Sequence, residues 1–181
     1  VDGAAVIENG ALPELFNGIN FGTYDKAEKE FARFDQFKKS GPRMCTELWG
    51  GWFDHFGEMH SSMPIPPLIE SLKWMLDQKI SLSFYMVHGG TSFGFDAGAN
   101  FDKNTRTYQP DISSYDYDAM LDDAGRPTPK FEAAKRAPKS ANKKLHRSTR
   151  QKNPVKRYGY NEYMMHHYAY IYYFFELCLY V

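Results

Sequence analysis

The order of its short apolar runs is what most constrains this chain. Asn17 to Gly22 and Arg43 to Leu48 read as short buried strands, and Ile80 to Val87 is a third, rich in apolar and aromatic residues. Between them lie two helical patterns. From Asp25 to Lys39 the apolar positions Ala27, Phe31, Phe34 and Phe37 recur at helical spacing, until Ser40-Gly41-Pro42 ends the run. Pro64 to Pro67 opens the second, which gathers Leu68, Ile69, Leu72, Met75 and Leu76 on one face and closes at Lys79. Residues 1–16 read as a loop with one helix-like turn, because Gly10 and Pro13 break anything longer. A glycine-, asparagine- and serine-rich loop runs to about Pro127, and Pro129 to Arg136 forms a short closing helix. This order predicts an α/β fold of repeated parallel β-α units. Chemistry in such folds collects at the C-terminal ends of the strands, where Glu47 and His88 are expected.

The run Met44-Cys-Thr-Glu47-Leu-Trp-Gly-Gly-Trp52-Phe-Asp-His55-Phe-Gly57 places a carboxylate at a strand end with aromatics and glycines behind it. Aromatic rings stack on the apolar face of a pyranose, and glycines allow close backbone approach. The same residues also admit a buried hairpin with a surface glutamate.

Two later runs shift the balance toward the first reading: Ser83-Phe-Tyr85-Met-Val-His88-Gly-Gly-Thr-Ser-Phe-Gly-Phe-Asp-Ala-Gly-Ala-Asn100 and Pro110-Asp-Ile-Ser-Ser-Tyr115-Asp-Tyr117-Asp118-Ala. In order, the three runs resemble the catalytic domain of the glycoside hydrolase family 35 β-galactosidases. That family reads Glu-Phe-Trp/Tyr-x-Gly-Trp-x-Asp-His-Trp-Gly, then Tyr-Met-Phe-x-Gly-Gly-Thr, then Thr-Ser-Tyr-Asp-Tyr-Asp-Ala-Pro. The resemblance spans about Val1 to Arg136. It implies a partial (β/α)8 TIM barrel, about the last three β-α units, because the matched motifs fall late in the family's order. It implies that Glu47 is the nucleophile of a retaining galactosidase, that Tyr85 and Tyr117 contact substrate, and that Trp52 forms a pocket wall. The partner implied is a β-galactoside; no cofactor is needed, since two carboxylates suffice for this chemistry.

The second carboxylate is expected to be absent. The family's acid/base lies in an Asn-Glu pair on an earlier strand; Glu8-Asn9 reverses that order and Glu14 falls in a loop. A non-catalytic galactoside-binding or interaction protein derived from the same fold is the alternative. Departures from the family pattern are Leu48 beside the nucleophile, Phe56 for tryptophan, Met120 for proline, and Phe95-Asp96-Ala97 in a loop that usually bears asparagine.

His55, His60 and His88 lack metal-ligand spacing, so no metal site is expected. Asp54-His55 reads as a local hydrogen-bonded pair bracing the loop after Glu47. Asp116 and Asp118, two apart on a run read as extended, are expected to serve as loop braces rather than as a paired-carboxylate site. Cys45 and Cys178 are too few for a disulfide framework or a zinc cluster. The 22 basic and 22 acidic residues balance, so no global field points to nucleic acid or membrane.

The domain reading is 1–137 for the catalytic part and 138–181 for a basic, then tyrosine-rich, irregular tail. Residues 139–157 carry eight lysines and arginines and no acid, and 158–181 hold eight of the thirteen tyrosines. Counterion release would let the basic run bind nucleic acid or anionic lipid, but such a run is usually just solvated. The last residues approach membrane-anchor length, against which Glu176, His166 and His167 count. Neither nucleic acid nor membrane is expected as a partner. Compartment and oligomeric state are not encoded in these patterns.

Overall fold

The computed structural model of the protein describes residues 1–38 and 41–141. The expectations for the tail beyond Ala141, including Cys178 and the anchor, lie outside the described residues.

The chain opens with a 3-10 turn, Ala4–Val6, and the one-turn helix α1, Ile7–Gly10. Then come β1, Ile19–Gly22; α2, Ala27–Phe37; β2, Met44–Trp49; α3, Ile65–Asp77; and β3, Ser81–Tyr85. The three strands form one parallel sheet in the order β1-β2-β3, so the β-α alternation legible in sequence is the architecture. Pro66 and Pro67 sit in the first turn of α3, where a missing N–H breaks no helical bond. Lys79 closes that helix with a positive φ of 55°, which lets Ile80 N–H return to the Met75 carbonyl at 2.9 Å.

One face of the sheet is apolar and carries both helices. Ile19 and Phe21 of β1, Cys45 and Leu48 of β2, and Leu82 of β3 join Phe31 and Phe34 of α2 and Leu68, Leu72 and Met75 of α3 in one core. Phe31 meets the Phe21 ring edge-on at 6.0 Å and stacks on Trp74 at 6.1 Å. Burying each large side chain contributes about 2 kcal/mol. A closing helix α4, Pro129–Ala141, adds Phe131, Ala134 and Ala137 to the same core and extends past the expected Arg136.

Alternation along β2 is broken. Cys45 and Leu48, three residues apart, both face the core, and the register against β1 slips between Ile19↔Cys45 and Asn20↔Glu47. A β-bulge absorbs the extra residue. Regular pleating would have put Glu47 on the same face as Cys45, against the helices. The bulge turns Glu47 and Trp49 together onto the opposite face, where Asn20 and Tyr85 also lie half-buried.

The stretch after β3 is not a plain loop. It contains an antiparallel hairpin, β4 Ala99–Asp102 and β5 Thr107–Pro110, paired from Ala99↔Pro110 to Asp102↔Thr107. Its strands alternate over only four residues each, and their apolar members Phe101 and Tyr108 face solvent, so no buried face announced it. Turn chemistry closes it instead: Asp102 Oδ1 accepts from the backbone N–H of Asn104 at 2.8 Å, and Arg106 takes a positive φ of 57°. A second correction concerns His88, which lies three residues beyond the end of β3 and bridges to Leu121.

The glycines after β2 and β3 have a different use from close approach to a ligand. A Cβ on Gly51 would stand 1.6 Å from the Tyr117 carbonyl oxygen, and one on Gly89 would stand 1.5 Å from that of Tyr115. The segment from Tyr115 to Asp118 is therefore laid backbone-to-backbone across both strand exits. Gly51→Ala and Gly89→Ala should each cost at least about 2 kcal/mol by forced overpacking. Gly50→Ala, whose Cβ would find its nearest atom at 3.4 Å, is the control. Denaturant melts of the three variants test this, and a Gly51→Ala protein as stable as the parent would contradict it.

Candidate active site

Glu47 sits near the C-terminal end of β2, half-buried, with its Oε2 accepting a hydrogen bond from the Trp49 indole N–H at 2.9 Å. Residues two apart in a strand share a face, which makes this bond possible, and the bulge before Glu47 decides that the shared face is the one away from the helices. Trp49 was not singled out from sequence, though its spacing from Glu47 was the available signal. Its ring meets Trp52 at 6.0 Å with a 72° tilt.

Trp52 is 39% exposed and borders a cluster of rings. It lies 6.2 Å from Tyr117, and Tyr85 meets Tyr117 edge-on at 5.5 Å. The structure thus brings Trp52, Tyr85 and Tyr117 together, with Glu47 close enough to act electrostatically on Tyr117. Tyr117 itself is only 2% exposed, so it has no ring face to offer a sugar. Phe53 and Tyr115 complete the cluster: Tyr115 stacks on Tyr117 at 5.6 Å, and Phe53 packs edge-on against both. The hydroxyls of Tyr85 and Tyr115 share a hydrogen bond of 2.8 Å. Burial pushes the phenols of Tyr115 and Tyr117 well above the ordinary range; for Tyr115 the bond to Tyr85 adds to it, and for Tyr117 the Tyr85 and Glu47 charges do. Burial thus favours the neutral phenol at both positions.

Asp116 and Asp118 brace the loop, as read from sequence, but not because they alternate on an extended run. Tyr117 and Asp118 have positive φ values of 61° and 49°, a region that costs a non-glycine residue about 1 kcal/mol or more. The turn is held by Asp118 N–H donating to Asp116 Oδ1 at 3.0 Å, by Met63 N–H donating to Asp118 Oδ2 at 2.6 Å, and by Lys130. The Lys130 ammonium is buried and donates to the Gly50 carbonyl, to the Asp118 carbonyl at 2.8 Å, and to Asp118 Oδ2. Burial lowers its pKa, and the Asp118 carboxylate opposes that shift.

Asp54 and His55 do not bond to each other. Asp54 Oδ2 pairs with His60 Nδ1 at 2.6 Å and its Oδ1 accepts from Ser61 N–H, closing the loop after β2 on itself. His55 is buried instead among the hairpin residues, with Nδ1 3.0 Å from Glu58 Oε2 and Nε2 2.9 Å from Asn100 Nδ2. Nε2 is also 3.4 Å from Asp111 Oδ1, which finds no hydrogen-bond donor among the described residues. Asp54 and His55 each take other partners instead, Asp54 within the same loop and His55 both there and in the hairpin. Cys45 is a buried thiol whose pKa is pushed up to about 12 by desolvation, which keeps it unreactive. Among the described residues, no three His, Cys, Asp or Glu side chains are grouped to hold a metal. Nor is any helix there long and apolar enough to cross a membrane.

The sequence profile described as "Glycosyl hydrolases family 35" matches residues 2–141. The chain is similar to a protein named beta-galactosidase from Xanthomonas manihotis, 46% identical over 131 residues, which cover 72% of this chain and 22% of that protein. It is 38% identical over 132 residues to beta-galactosidase-1-like protein of Mus musculus, covering 73% of this chain and 20% of the relative. Against the protein named beta-galactosidase of Homo sapiens it is 35% identical over 134 residues, covering 73% and 19%. The chain spans about a fifth of the length of these relatives.

Two outcomes test this electrostatic frame. Lys130→Met leaves the Asp118 carboxylate without its cation and should cost about 3 kcal/mol, read as a lower unfolding midpoint; an unchanged midpoint would show that the buried ammonium does not hold the turn. His60 has its pKa raised above 6.5, mainly by the Asp54 hydrogen bond. A raised histidine pKa stabilises the fold below the unfolded value and ceases to do so as pH climbs through the folded one. The parent should therefore lose stability relative to His60→Gln as pH rises from below 6.5 past that raised value. Parallel melting curves across that window would contradict it.

Proposed function

This chain belongs to glycosyl hydrolases family 35, and on that footing we propose that it carries the nucleophile of a retaining β-galactosidase acting on terminal non-reducing β-D-galactose residues. Membership implies a (β/α)8 catalytic domain, and we read the three-stranded sheet as about the last three β-α units of it. Parallel sheets are normally covered on both faces. Here both α2 and α3 pack on one face, while the other carries Asn20, Glu47, Trp49 and Tyr85, the polar and aromatic set suited to a barrel's working interior.

The observation that carries the functional reading is the position of Glu47. It stands near the C-terminal end of a parallel strand, on the face away from the helices, bonded to Trp49, whose ring packs against the exposed Trp52. In the proposed reaction one carboxylate oxygen attacks the anomeric carbon, and a covalent galactosyl ester forms as the aglycone leaves. Trp52 stacks on the apolar face of galactose. Tyr85 offers its hydroxyl to the sugar or to the carboxylate, and buried Tyr117 backs both of them rather than stacking on the sugar. The acid/base belongs about 5–5.5 Å from the nucleophile. Glu8 lies in α1 and Glu14 in the loop after it, both exposed on the N-terminal segment, which supports their exclusion from that role. The chain alone is thus expected not to cleave natural galactosides, whose leaving group must be protonated.

A leaving group that needs no proton separates the two carboxylate roles. Treated with 2-deoxy-2-fluoro-β-D-galactosyl fluoride, the chain should acquire a sugar ester on the peptide containing Glu47, and Glu47→Gln should acquire none. Mass analysis of the digested protein reads both. An ester on another carboxylate would remove Glu47 from the role. Saturable galactose binding with no ester at all would favour a non-catalytic galactoside-binding protein.

A further inference from the structure

The Trp49 indole lies against Glu47 in a way that neither residue's backbone requires. An indole N–H is a donor with no acceptor function, so in this pair the carboxylate must accept. At 2.9 Å it commits Oε2 of Glu47. The ring is itself braced. Trp52 meets it at 6.0 Å, and the space over Gly22 receives its edge, since a Cβ there would stand 3.6 Å from the Trp49 ring. Its carbonyl accepts from the Thr23 hydroxyl at 3.0 Å, and its backbone is paired with Tyr85 across the sheet.

A carboxylate free to rotate about its last bond offers either oxygen to an electrophile. One held by a braced donor does not. Resting on the reading of Glu47 as the nucleophile, we infer that Trp49 is a positioning residue, whose N–H holds Oε2 so that Oε1 attacks the anomeric carbon. In the step it governs, the Oε1–C1 bond forms as the bond from C1 to the leaving group breaks. The leaving group departs with the electron pair, and no proton is exchanged with Trp49. Holding the attacking atom in line is worth far more to the reaction than to the fold, because the cost of a misplaced nucleophile falls on the transition state.

The test replaces the N–H and keeps the ring. Trp49→Phe removes the donor. Incorporating β-(3-benzothienyl)alanine at position 49 keeps the indole's shape with sulfur in place of N–H, which covers the case in which the phenylalanine protein fails to fold. With the galactosyl fluoride, the limiting rate of ester formation should fall roughly thirtyfold, the size of one lost hydrogen bond to a charged group. The half-saturating concentration and the unfolding midpoint should stay near those of the parent. A purely structural role would move the midpoint and the half-saturating concentration together with the rate. An unchanged limiting rate in the benzothienyl protein, or a fall matched by weaker binding, overturns the inference about Trp49. Absence of ester in the unmodified chain is a different result: it overturns the nucleophile reading, and the role of Trp49 with it.

Discussion

The site hangs on two points where backbone meets backbone. The carbonyls of Tyr115 and Tyr117 occupy the space that side chains at Gly89 and Gly51 would fill. This lets a loop distant in sequence lie flat across the exits of β2 and β3, and it carries the stacked pair Tyr115 and Tyr117 with it. Everything else at the site is fitted to that contact. The turn at Tyr117 and Asp118 adopts a backbone that non-glycine residues disfavour, so it needs bonds to hold it. Those bonds come from Asp116, Met63 and the buried Lys130 ammonium. Lys130 reaches the Gly50 carbonyl as well, joining the closing helix to the strand exit and the loop at one atom.

A second device sets the direction of the carboxylate. The bulge in β2 lets Cys45 and Leu48 both remain in the core while Glu47 turns away from it. Apolar burial on one side and charge on the other are thereby satisfied by the same six-residue strand, Met44–Trp49. The aromatic ring cluster follows from that choice. Trp49 and Trp52 leave the strand on the carboxylate's side, and Tyr85 joins them from the next strand in register. The departures from the family pattern fall elsewhere. Leu48 and Met120 are core residues, and Phe56 and Phe95 project into solvent.

The elements with apolar periodicity were legible because burial enforces them. Phe31 and Phe34 face the sheet at helical spacing, and Leu68, Leu72 and Met75 do the same in the next helix. The hairpin of Ala99–Asp102 and Thr107–Pro110 was not legible, because its strands are four residues long and its pairing rests on backbone bonds and an aspartate-closed turn rather than on a buried apolar face. The partners of Asp54 and His55 were missed for a related reason. A side chain's nearest neighbour in sequence is a good guess only when the loop's own turn or another segment does not bring a better partner, and here His60 and Glu58 of the same loop and Asn100 of the hairpin do.

The sequence by itself determined the β-α order, the apolar faces of the helices and the three motifs that mark the family. Those are properties of spacing and residue type, and they survive being read in one dimension. The tertiary structure alone decided which way Glu47 points, that Trp49 rather than a more distant group holds it, and that Tyr117 is buried behind the exposed Trp52. It decided these because each depends on a slipped register or a backbone contact between segments. Neither leaves a mark on residue type except a glycine, whose purpose appears only once the opposing carbonyl is in place.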